Sequence, residues 1–463
     1  GNNGEEEDNV VRIRIEEIQN PLGFKVCLDD GRKTYRGQLQ ASATDFGEIE
    51  LNKRRRLLRL CVHQALSSYV IEQGRMVSPW AILTGVRPTK IVHRLLRQGF
   101  STEEAQGILI QEYGLDFQKA RLVTAVAGRQ LPYLHHLKRD DQVSVYISIP
   151  FCPTRCHYCS FPAFALDRWG GWLEGYLANL SQEIQASARA MDQRGLGVQT
   201  IYVGGGTPTV LSAEQIRRLL GLIREEFHLA RGTEITVEAG RPDTLSREKL
   251  QVLKEFGVER ISINPQTFHE QTLQTIGRRH SPQDIMDAFN LAREIGFKVI
   301  NMDLIIGLPG ENRQVLAETL EQVLRLRPEN ITLHALALKR AAFFKQEGVS
   351  LPDPEEGAKM TVAAQQTLEA AGYYAYYLYR QKEIAGHGEN VGYCLPGTAS
   401  LYNILMMEEE QTILGFGVGA SSKFIDPLTR AVDNVFNPKD LIVYQERLPQ
   451  LTAIKVDKIG SFG

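Results

Sequence analysis

The N-terminal part of the chain changes from a strand-like to a helix-like pattern. In residues 10–40, apolar and polar positions alternate with a period of two, which predicts a small antiparallel sheet. From about residue 51 to 131 the apolar positions follow the helical period, and Ser101 with Glu104 predicts a capping box. We therefore expect an N-terminal α+β domain over residues 1–140.

From residue 143 onwards, strand-like runs alternate with helical runs, after a polar stretch at 138–142 that predicts a linker. The predicted strands cover 143–149, 200–203, 233–238, 260–264, 298–306 and 330–336. The predicted helices cover 171–194, 212–228, 245–256, 269–276, 282–295 and 314–326. Six βα units at this spacing predict a parallel sheet over 141–340. Periodicity alone does not distinguish a doubly wound sheet from an incomplete barrel, but both place functional loops at the C-terminal strand ends.

The last part of the chain, 341–463, is expected to form a separate region that covers the substrate. It contains a dense tyrosine run at 373–379 and the glycine-rich stretch Gly415-Phe-Gly-Val-Gly419. Alternating aromatic residues in a strand usually pack in a core, so we favour packing over ligand stacking for the tyrosines.

Composition and charge exclude several classes of protein. The 463 residues are 43% hydrophobic and carry a net charge of −2, which gives no electrostatic reason to expect nucleic acid or an anionic membrane as partner. We find no apolar run of membrane-spanning length, and the acidic start does not resemble a signal peptide. Six cysteines are too few for a disulfide framework in a chain of this length. These features predict a cytoplasmic protein with reduced thiols.

Three of the cysteines, Cys152, Cys156 and Cys159, lie within eight residues directly after the first predicted strand of the barrel region. Three thiolates can hold three irons of a cubane cluster and leave the fourth iron open for another ligand. A structural zinc ion is an alternative, although it normally takes four ligands and His157 is wedged between two of the cysteines. Inert buried thiols are the remaining alternative.

Other strand ends carry residues suited to binding a small molecule. The stretch Gly204-Gly-Gly-Thr-Pro208 follows the second strand, where glycines allow a close ligand approach or simply a tight turn. Glu238, Gln266 and Asp303 are predicted to end the third, fourth and fifth strands. A buried carboxylate is costly unless it binds a ligand or makes a structural hydrogen bond. Arg278 could pair with a carboxylate, or lie at a solvated helix end.

The cysteine spacing resembles that of the radical S-adenosylmethionine (SAM) enzymes. In that superfamily the open iron binds the amino and carboxylate groups of SAM, and one electron from the cluster splits SAM to give a 5′-deoxyadenosyl radical. The resemblance implies a [4Fe–4S] cluster on Cys152, Cys156 and Cys159. It also favours an α/β fold, a partial (β/α)6 barrel with the N-terminal α+β domain and a C-terminal α/β extension.

A set of motifs in the same order as here resembles the oxygen-independent coproporphyrinogen III oxidase family. These motifs are at 146–152, 204–209, 266–268, 277–278 and 303–309. In that family the residue at Tyr146 lies beside the cluster and the SAM sulfonium. The resemblance implies SAM contacts from Gly205, Gly206, Thr207, Glu238, Gln266, Arg278 and Asp303.

Segments 83–90, 379–393 and 415–423 resemble the long branch of that family, the coproporphyrinogen dehydrogenases. The implied reaction abstracts a hydrogen from the β-carbon of a propionate, then releases carbon dioxide and one electron to leave a vinyl group. Two such events convert coproporphyrinogen III to protoporphyrinogen IX. The resemblance further implies one or two SAM molecules, a tetrapyrrole substrate, and a reduced electron donor of the flavodoxin or ferredoxin type.

One departure from the family leaves other functions open. The well-understood decarboxylases have a further cysteine two residues after the third, whereas Cys159 is followed by Ser160 and Phe161. The same pattern occurs in a related heme-chaperone branch. A heme-binding chaperone, and a radical SAM methyltransferase or other tetrapyrrole-modifying enzyme, are therefore the alternatives.

Cations could pair with substrate propionates or with other anions. Lys339, Arg340 and Arg380 are predicted near the C-terminal side of the barrel and are candidates for propionate binding. In the N-terminal region, 54–56 and 87–90 could contact RNA, but we favour solvated helix faces because the chain is slightly acidic overall.

Overall fold

The computed structural model describes residues 11–19, 21–41, 50–135, 137, 141–337, 342–349, 351–380, 388–426 and 428–461. The chain divides into two compact units, residues 1–128 and 129–463. The domain limits expected near residues 140 and 340 stay predictions. Most of the predicted linker, at 138–140, lies outside the described residues.

The first unit contains the antiparallel sheet and the helices expected from the sequence. Its strands, in the order β1-β2-β3, are β1 (Arg12–Ile18), β2 (Gly23–Asp29) and β3 (Thr34–Gln40). The helices that follow are α1 (Glu50–Glu72), α2 (Thr89–Arg97), α3 (Thr102–Tyr113) and α4 (Phe117–His135), the last of which contains the division between the units. The predicted capping box is present at α3, because the Glu104 amide donates to Ser101 Oγ at 3.1 Å and the Ser101 amide donates to Glu104 Oε2 at 2.7 Å.

The apolar face of this small sheet packs on α1. Phe24 and Val26 of β2 share a buried cluster with Leu57 and Cys61 of α1. Arg56, on the same helix, is only 6% exposed and forms an ion pair with Glu112 of α3. The prediction of a solvated helix face is therefore wrong for Arg56, because a carboxylate on a neighbouring helix compensates its burial.

The second unit is built on an eleven-stranded sheet. Its strands are β4 (Gln142–Ile149), β7 (Gly197–Gly205), β8 (Leu229–Glu238), β9 (Arg260–Ser262), β10 (Val299–Ile306), β11 (Asn330–Ala335), β12 (Tyr374–Tyr379), β13 (Asn390–Cys394), β14 (Ile413–Phe416), β15 (Ser421–Ile425) and β16 (Val432–Phe436). Two short strands, β5 (Phe151–Cys152) and β6 (Phe164–Ala165), pair with each other. The helices are α5 (Leu166–Trp169), α6 (Leu173–Gln193), α7 (Ala213–Glu226), α8 (Arg247–Glu255), α9 (Glu270–Thr275), α10 (Pro282–Ile295), α11 (Arg313–Leu326), α12 (Phe343–Gln346), α13 (Pro354–Ala370), α14 (Leu401–Glu408) and α15 (Leu441–Ser461).

The strand order identifies the architecture. Strands β4, β7, β8, β9, β10 and β11 lie side by side in chain order, and every neighbouring pair is parallel. A doubly wound sheet would reverse its order at a switch point, and this sheet does not. The six predicted strands and the helices between them therefore form a partial (β/α)6 barrel, as expected.

The C-terminal part of the chain extends the same sheet at both edges. Strand β14 adds parallel to β4 and is followed by antiparallel β15 and β16, whereas β13 and β12 add antiparallel to β11. The glycine-rich stretch lies at the β14–β15 hairpin, where a Cβ on Gly415 would be 2.6 Å from the Ser421 carbonyl oxygen. None of the helices in the described part of the chain has the length and apolar character needed to cross a bilayer.

Candidate active site at the C-terminal ends of the barrel strands

A cavity of about 370 Å³ lies at the C-terminal ends of the parallel strands. All the residues expected to hold the cluster and SAM, together with Tyr146, lie on its wall. These residues are Tyr146, Cys152, Cys156, Cys159, Gly205, Gly206, Thr207, Glu238, Gln266, Arg278 and Asp303. They come from five strands and their following loops, so the fold brings together groups that are up to 157 positions apart, from 146 to 303, in the chain. Their individual roles stay predictions.

The cysteine loop is fixed by hydrogen bonds that leave the three thiols on the cavity wall. The Cys159 amide donates to the Cys156 carbonyl at 3.1 Å, and the His157 amide donates to the Ile276 carbonyl at 3.0 Å. His157 Nδ1 also donates to the Thr275 carbonyl oxygen at 2.8 Å, so this ring anchors the loop.

The donor set suits a cluster better than a single metal ion. Among the described residues, no three His, Cys, Asp or Glu side chains converge closely enough to hold one metal ion. In a cubane cluster each cysteine binds a different iron, so its three thiolates need to lie around one cavity without meeting at a point. The arrangement therefore fits the expected [4Fe–4S] cluster.

The glycine loop after β7 packs directly on the cysteine loop. The Gly206 amide donates to the Ile149 carbonyl at 2.9 Å, and the Thr207 amide donates to the Phe151 carbonyl at 2.8 Å. A Cβ on Gly206 would be 2.6 Å from the Phe151 carbonyl oxygen and 3.0 Å from Cys152 Sγ. Only glycine allows this approach, which supports the tight-turn alternative for this motif, and its role in ligand binding stays a prediction.

Gln266 carries a polar atom that is suited to a ligand. Its backbone is left-handed, with φ of 68°, and its amide and carbonyl bond the backbone of Asp303 and Ile305 at 2.9 and 3.0 Å. The side-chain Oε1 is buried and has no hydrogen-bond partner among the described residues. An unsatisfied buried acceptor on a strained residue is typical of a binding site. The cavity wall thus fits a polar cofactor such as SAM.

Two half-buried carboxylates on the wall have opposite pKa shifts. Burial raises the pKa of Glu238 to about 7, although its carboxylate accepts a hydrogen bond from the Tyr202 hydroxyl at 2.7 Å. Burial also acts to raise the pKa of Asp303, but His334, 3.7 Å away, and the Asn301 amide at 2.8 Å outweigh it and hold the pKa below its ordinary value. Burial therefore favours the neutral form of Glu238 relative to an ordinary carboxyl, whereas His334 and Asn301 favour the charged form of Asp303.

The positions of three predicted residues differ in detail from the sequence-based expectation. Asp303 lies inside β10 rather than at its end, and Gln266 lies beyond the end of β9, in an isolated bridge with Leu304. Arg278 is only 6% exposed, so a solvated helix end is wrong. Its Nη1 donates to the Asn264 carbonyl at 2.5 Å, which fixes the guanidinium on the wall.

Several wall residues were not predicted. Tyr158, Tyr202, Arg241, His334 and Tyr377 all line the cavity. His334 lies next to the end of β11, so the rule that identified Glu238 at the end of β8 could have found it. The same rule could not place Tyr377 on the cavity wall. A β-bulge between Ala375 and Tyr377 breaks the alternation of side chains between the two faces of β12.

The structure leaves two of the three cations proposed for propionates untested. Lys339 and Arg340 lie outside the described residues, as do 381–387 of the 379–393 motif. Arg380 is not among the described residues that line the cavity. Ser160 and Phe161, which mark the departure from the family pattern, do line it.

Comparisons with known proteins agree with this site. Residues 146–323 match the model of the radical SAM superfamily. The chain is 44% identical over 381 residues to the oxygen-independent coproporphyrinogen-III oxidase-like protein HemZ of Bacillus subtilis, a match that covers 81% of this chain and 76% of the relative. The chain belongs to the radical SAM superfamily, among the oxygen-independent coproporphyrinogen III oxidase-like proteins. Membership implies a [4Fe–4S] cluster and SAM.

Two further matches come from related proteins with different names. The heme chaperone HemW of Bacillus subtilis is 36% identical over 282 residues, covering 60% of this chain and 70% of that protein. A solved structure of coproporphyrinogen III oxidase (HemN) from Escherichia coli, described as a radical SAM enzyme, matches with a TM-score of 0.57 and 26% identity. That match covers 70% of this chain and 73% of the other. The predicted family and fold class are both confirmed.

Proposed function

We propose that this radical SAM enzyme converts coproporphyrinogen III to protoporphyrinogen IX by oxidative decarboxylation of two propionates. The observation that carries the proposal is the convergence of the cluster cysteines and all the predicted SAM-contact residues on one cavity. The similarity to an oxidase-like relative over most of both chains supports the choice of substrate.

The residues of the chain have distinct parts in this proposal. Cys152, Cys156 and Cys159 would hold the cluster, and Gly206 would allow the glycine loop to pack close to Cys152. When bound, the cluster and SAM would supply the chemistry of radical hydrogen abstraction. Glu238 and Gln266 offer acceptors to the hydroxyl and amino groups of SAM from fixed positions, which orients the reactive carbon toward the substrate.

The wall beside the third cysteine suits a large substrate with an apolar face. Phe161 lines the cavity yet is 64% exposed, so its ring is accessible to an apolar face. His334 also lies on this wall, and Asp303 raises its pKa although burial acts to lower it. A porphyrinogen has both a broad apolar face and peripheral carboxylates. The donor of the flavodoxin or ferredoxin type, the number of SAM molecules and the cytoplasmic location stay predictions.

An anaerobic turnover assay tests the proposal. Reconstituted protein would be incubated with SAM, dithionite and coproporphyrinogen III, and the products analysed by mass spectrometry. We expect loss of carbon dioxide and two hydrogens per propionate, matched by 5′-deoxyadenosine. Formation of 5′-deoxyadenosine without any vinyl product would refute the substrate, and S-adenosylhomocysteine with a methylated product would indicate a methyltransferase.

Replacing Phe161 with alanine should weaken substrate binding. Covering an exposed phenylalanine ring with an apolar face stabilises by about 1.5–3 kcal/mol, so we expect KM for coproporphyrinogen III to rise about tenfold or more. Phe436 is 68% exposed on β16 and is not among the described residues that line the cavity, so Phe436→Ala is the matched control and should leave KM unchanged. Equal KM values in the two variants would exclude Phe161 from the substrate site.

A heme-binding chaperone is the second candidate. It is favoured by the similarity to HemW and by Ser160 and Phe161 after the third cysteine. Stoichiometric heme binding by the reconstituted protein, together with an unchanged porphyrinogen in the turnover assay, would support this function over the decarboxylase.

A further inference from the structure

Arg241, in the loop after β8, lies next to the cysteine loop and is buried, which is unusual for an arginine. Its side chain is only 3% exposed, and it lines the cavity. Asp243 holds one edge of the guanidinium, since Nε donates to Oδ1 at 2.9 Å and Nη2 donates to Oδ2 at 2.8 Å. This bidentate pair fixes the plane of the guanidinium and leaves Nη1 as the free end.

The free end of Arg241 is directed at the cysteine loop. Nη1 donates to Thr154 Oγ1 at 3.2 Å and lies 4.0 Å from Cys156 Sγ. Asp243 is on the far side of the guanidinium, where its carboxylate also faces His280 Nδ1 at 3.8 Å. The ion pair is neutral as a whole, but its positive end is the end nearer the sulfur. Cys156 is therefore exposed to an N–H donor and a positive potential from a buried guanidinium.

We propose that Arg241 is a positioning residue that raises the reduction potential of the cluster through the Cys156 sulfur. Reduction adds one electron to the cluster, and part of that charge resides on the cysteine sulfurs. A donor and a positive charge near one of these sulfurs stabilise the reduced form more than the oxidised form. This proposal requires the cluster but does not require the porphyrinogen reaction. The role of Arg241 and the proposed function can therefore be refuted independently of each other.

A potentiometric titration of the reconstituted protein, monitored by electron paramagnetic resonance, tests the proposal. In Arg241→Met we expect the ratio of reduced to oxidised cluster at a fixed potential to fall about tenfold, or about 59 mV for one electron. Arg241→Lys keeps the charge but cannot hold Asp243 with two bonds while reaching the sulfur. We expect it to shift the midpoint in the same direction by less.

Arg260 provides a matched control for the loss of a buried arginine. It is 8% exposed, lies 3.6 Å from Glu234 and begins β9, at the opposite end of the parallel strands from the cysteines. Arg260→Met should leave the midpoint potential unchanged. A wild-type midpoint in Arg241→Met, or an equal shift in Arg260→Met, would overturn the proposal. If Arg241→Met does not load a cluster, the midpoint potential of Arg241→Lys is the test. A wild-type midpoint potential in Arg241→Lys would then overturn the proposal.

Discussion

Replacing Gly206 with alanine is expected to reduce cluster content to a small fraction of that of the wild type and to abolish SAM binding. The added Cβ would be 2.6 Å from the Phe151 carbonyl oxygen and 3.0 Å from Cys152 Sγ, closer than such contacts allow. Both loops are held by backbone hydrogen bonds, so neither can yield by a side-chain rotation. Overpacking of this kind costs about 1–3 kcal/mol. Relief of the clash requires Cys152 to move away from the other two cysteines.

Iron and sulfide content, the cluster absorbance and SAM binding by anaerobic calorimetry would measure the effect. Gly221, within α7, is a suitable control because a Cβ there would meet nothing closer than Phe256 Cε1 at 4.0 Å. Gly221→Ala should load a full cluster and gain about 0.5–1 kcal/mol of stability, since alanine is the better helix former. Full cluster content and unchanged SAM affinity in Gly206→Ala would show that the two loops can separate without consequence.

The barrel was predictable because its signals are local. The clearest parallel strands are short apolar runs, as in β4, where Val143, Val145, Ile147 and Ile149 are all fully buried. The three cysteines are close together in the chain, so their spacing alone indicated the cluster. Glu238 was predictable from its place at a strand end.

Features that depend on distant partners were not predictable. Strand β14 has only four residues, and nothing in its sequence indicates that it pairs with β4, more than 260 positions earlier. In the sequence Arg56 is one residue of a basic run, and only the ion pair with Glu112 in the structure explains its burial. Arg241 is an ordinary loop arginine in the sequence, and only the packing of its loop against the cysteine loop brings it to Cys156. These contacts depend on tertiary packing, which local patterns do not encode.

Replacing Lys455 with methionine is expected to destabilise the second unit by about 3–5 kcal/mol. Lys455 of α15 and Glu183 of α6 form an ion pair in which both side chains are 0% exposed. The Glu183 carboxylate also accepts from Asn437 Nδ2 at 2.8 Å, the Tyr444 hydroxyl at 2.7 Å and the Gly417 amide at 2.8 Å. Loss of the lysine would leave a buried carboxylate without its counter-charge.

The pKa of Glu183 gives the expected pH dependence. Burial acts to raise this pKa, but the charge and hydrogen bond of Lys455, with Asn437 and Tyr444, outweigh it and hold the pKa below the ordinary value of 4.5. A lowered carboxyl pKa stabilises the fold above the unfolded-state pKa, and that stability is lost as the pH falls through the folded-state pKa. The difference between Lys455→Met and the wild type should therefore be largest near neutral pH and shrink in acid.

Guanidinium denaturation would measure the loss, and hydrogen exchange of α15 amides would localise it. Lys458, one turn along the same helix, pairs with Asp433 at the surface, where both side chains are at least 41% exposed. Lys458→Met should change stability by no more than about 1 kcal/mol, because solvent screens that pair. The double variant Glu183→Gln with Lys455→Met removes both charges and should be more stable than Lys455→Met alone. If the double variant is not more stable than Lys455→Met, the loss of stability arises from the packing of the lysine stem. The buried charge is then not what stabilises the contact of α15 with the barrel.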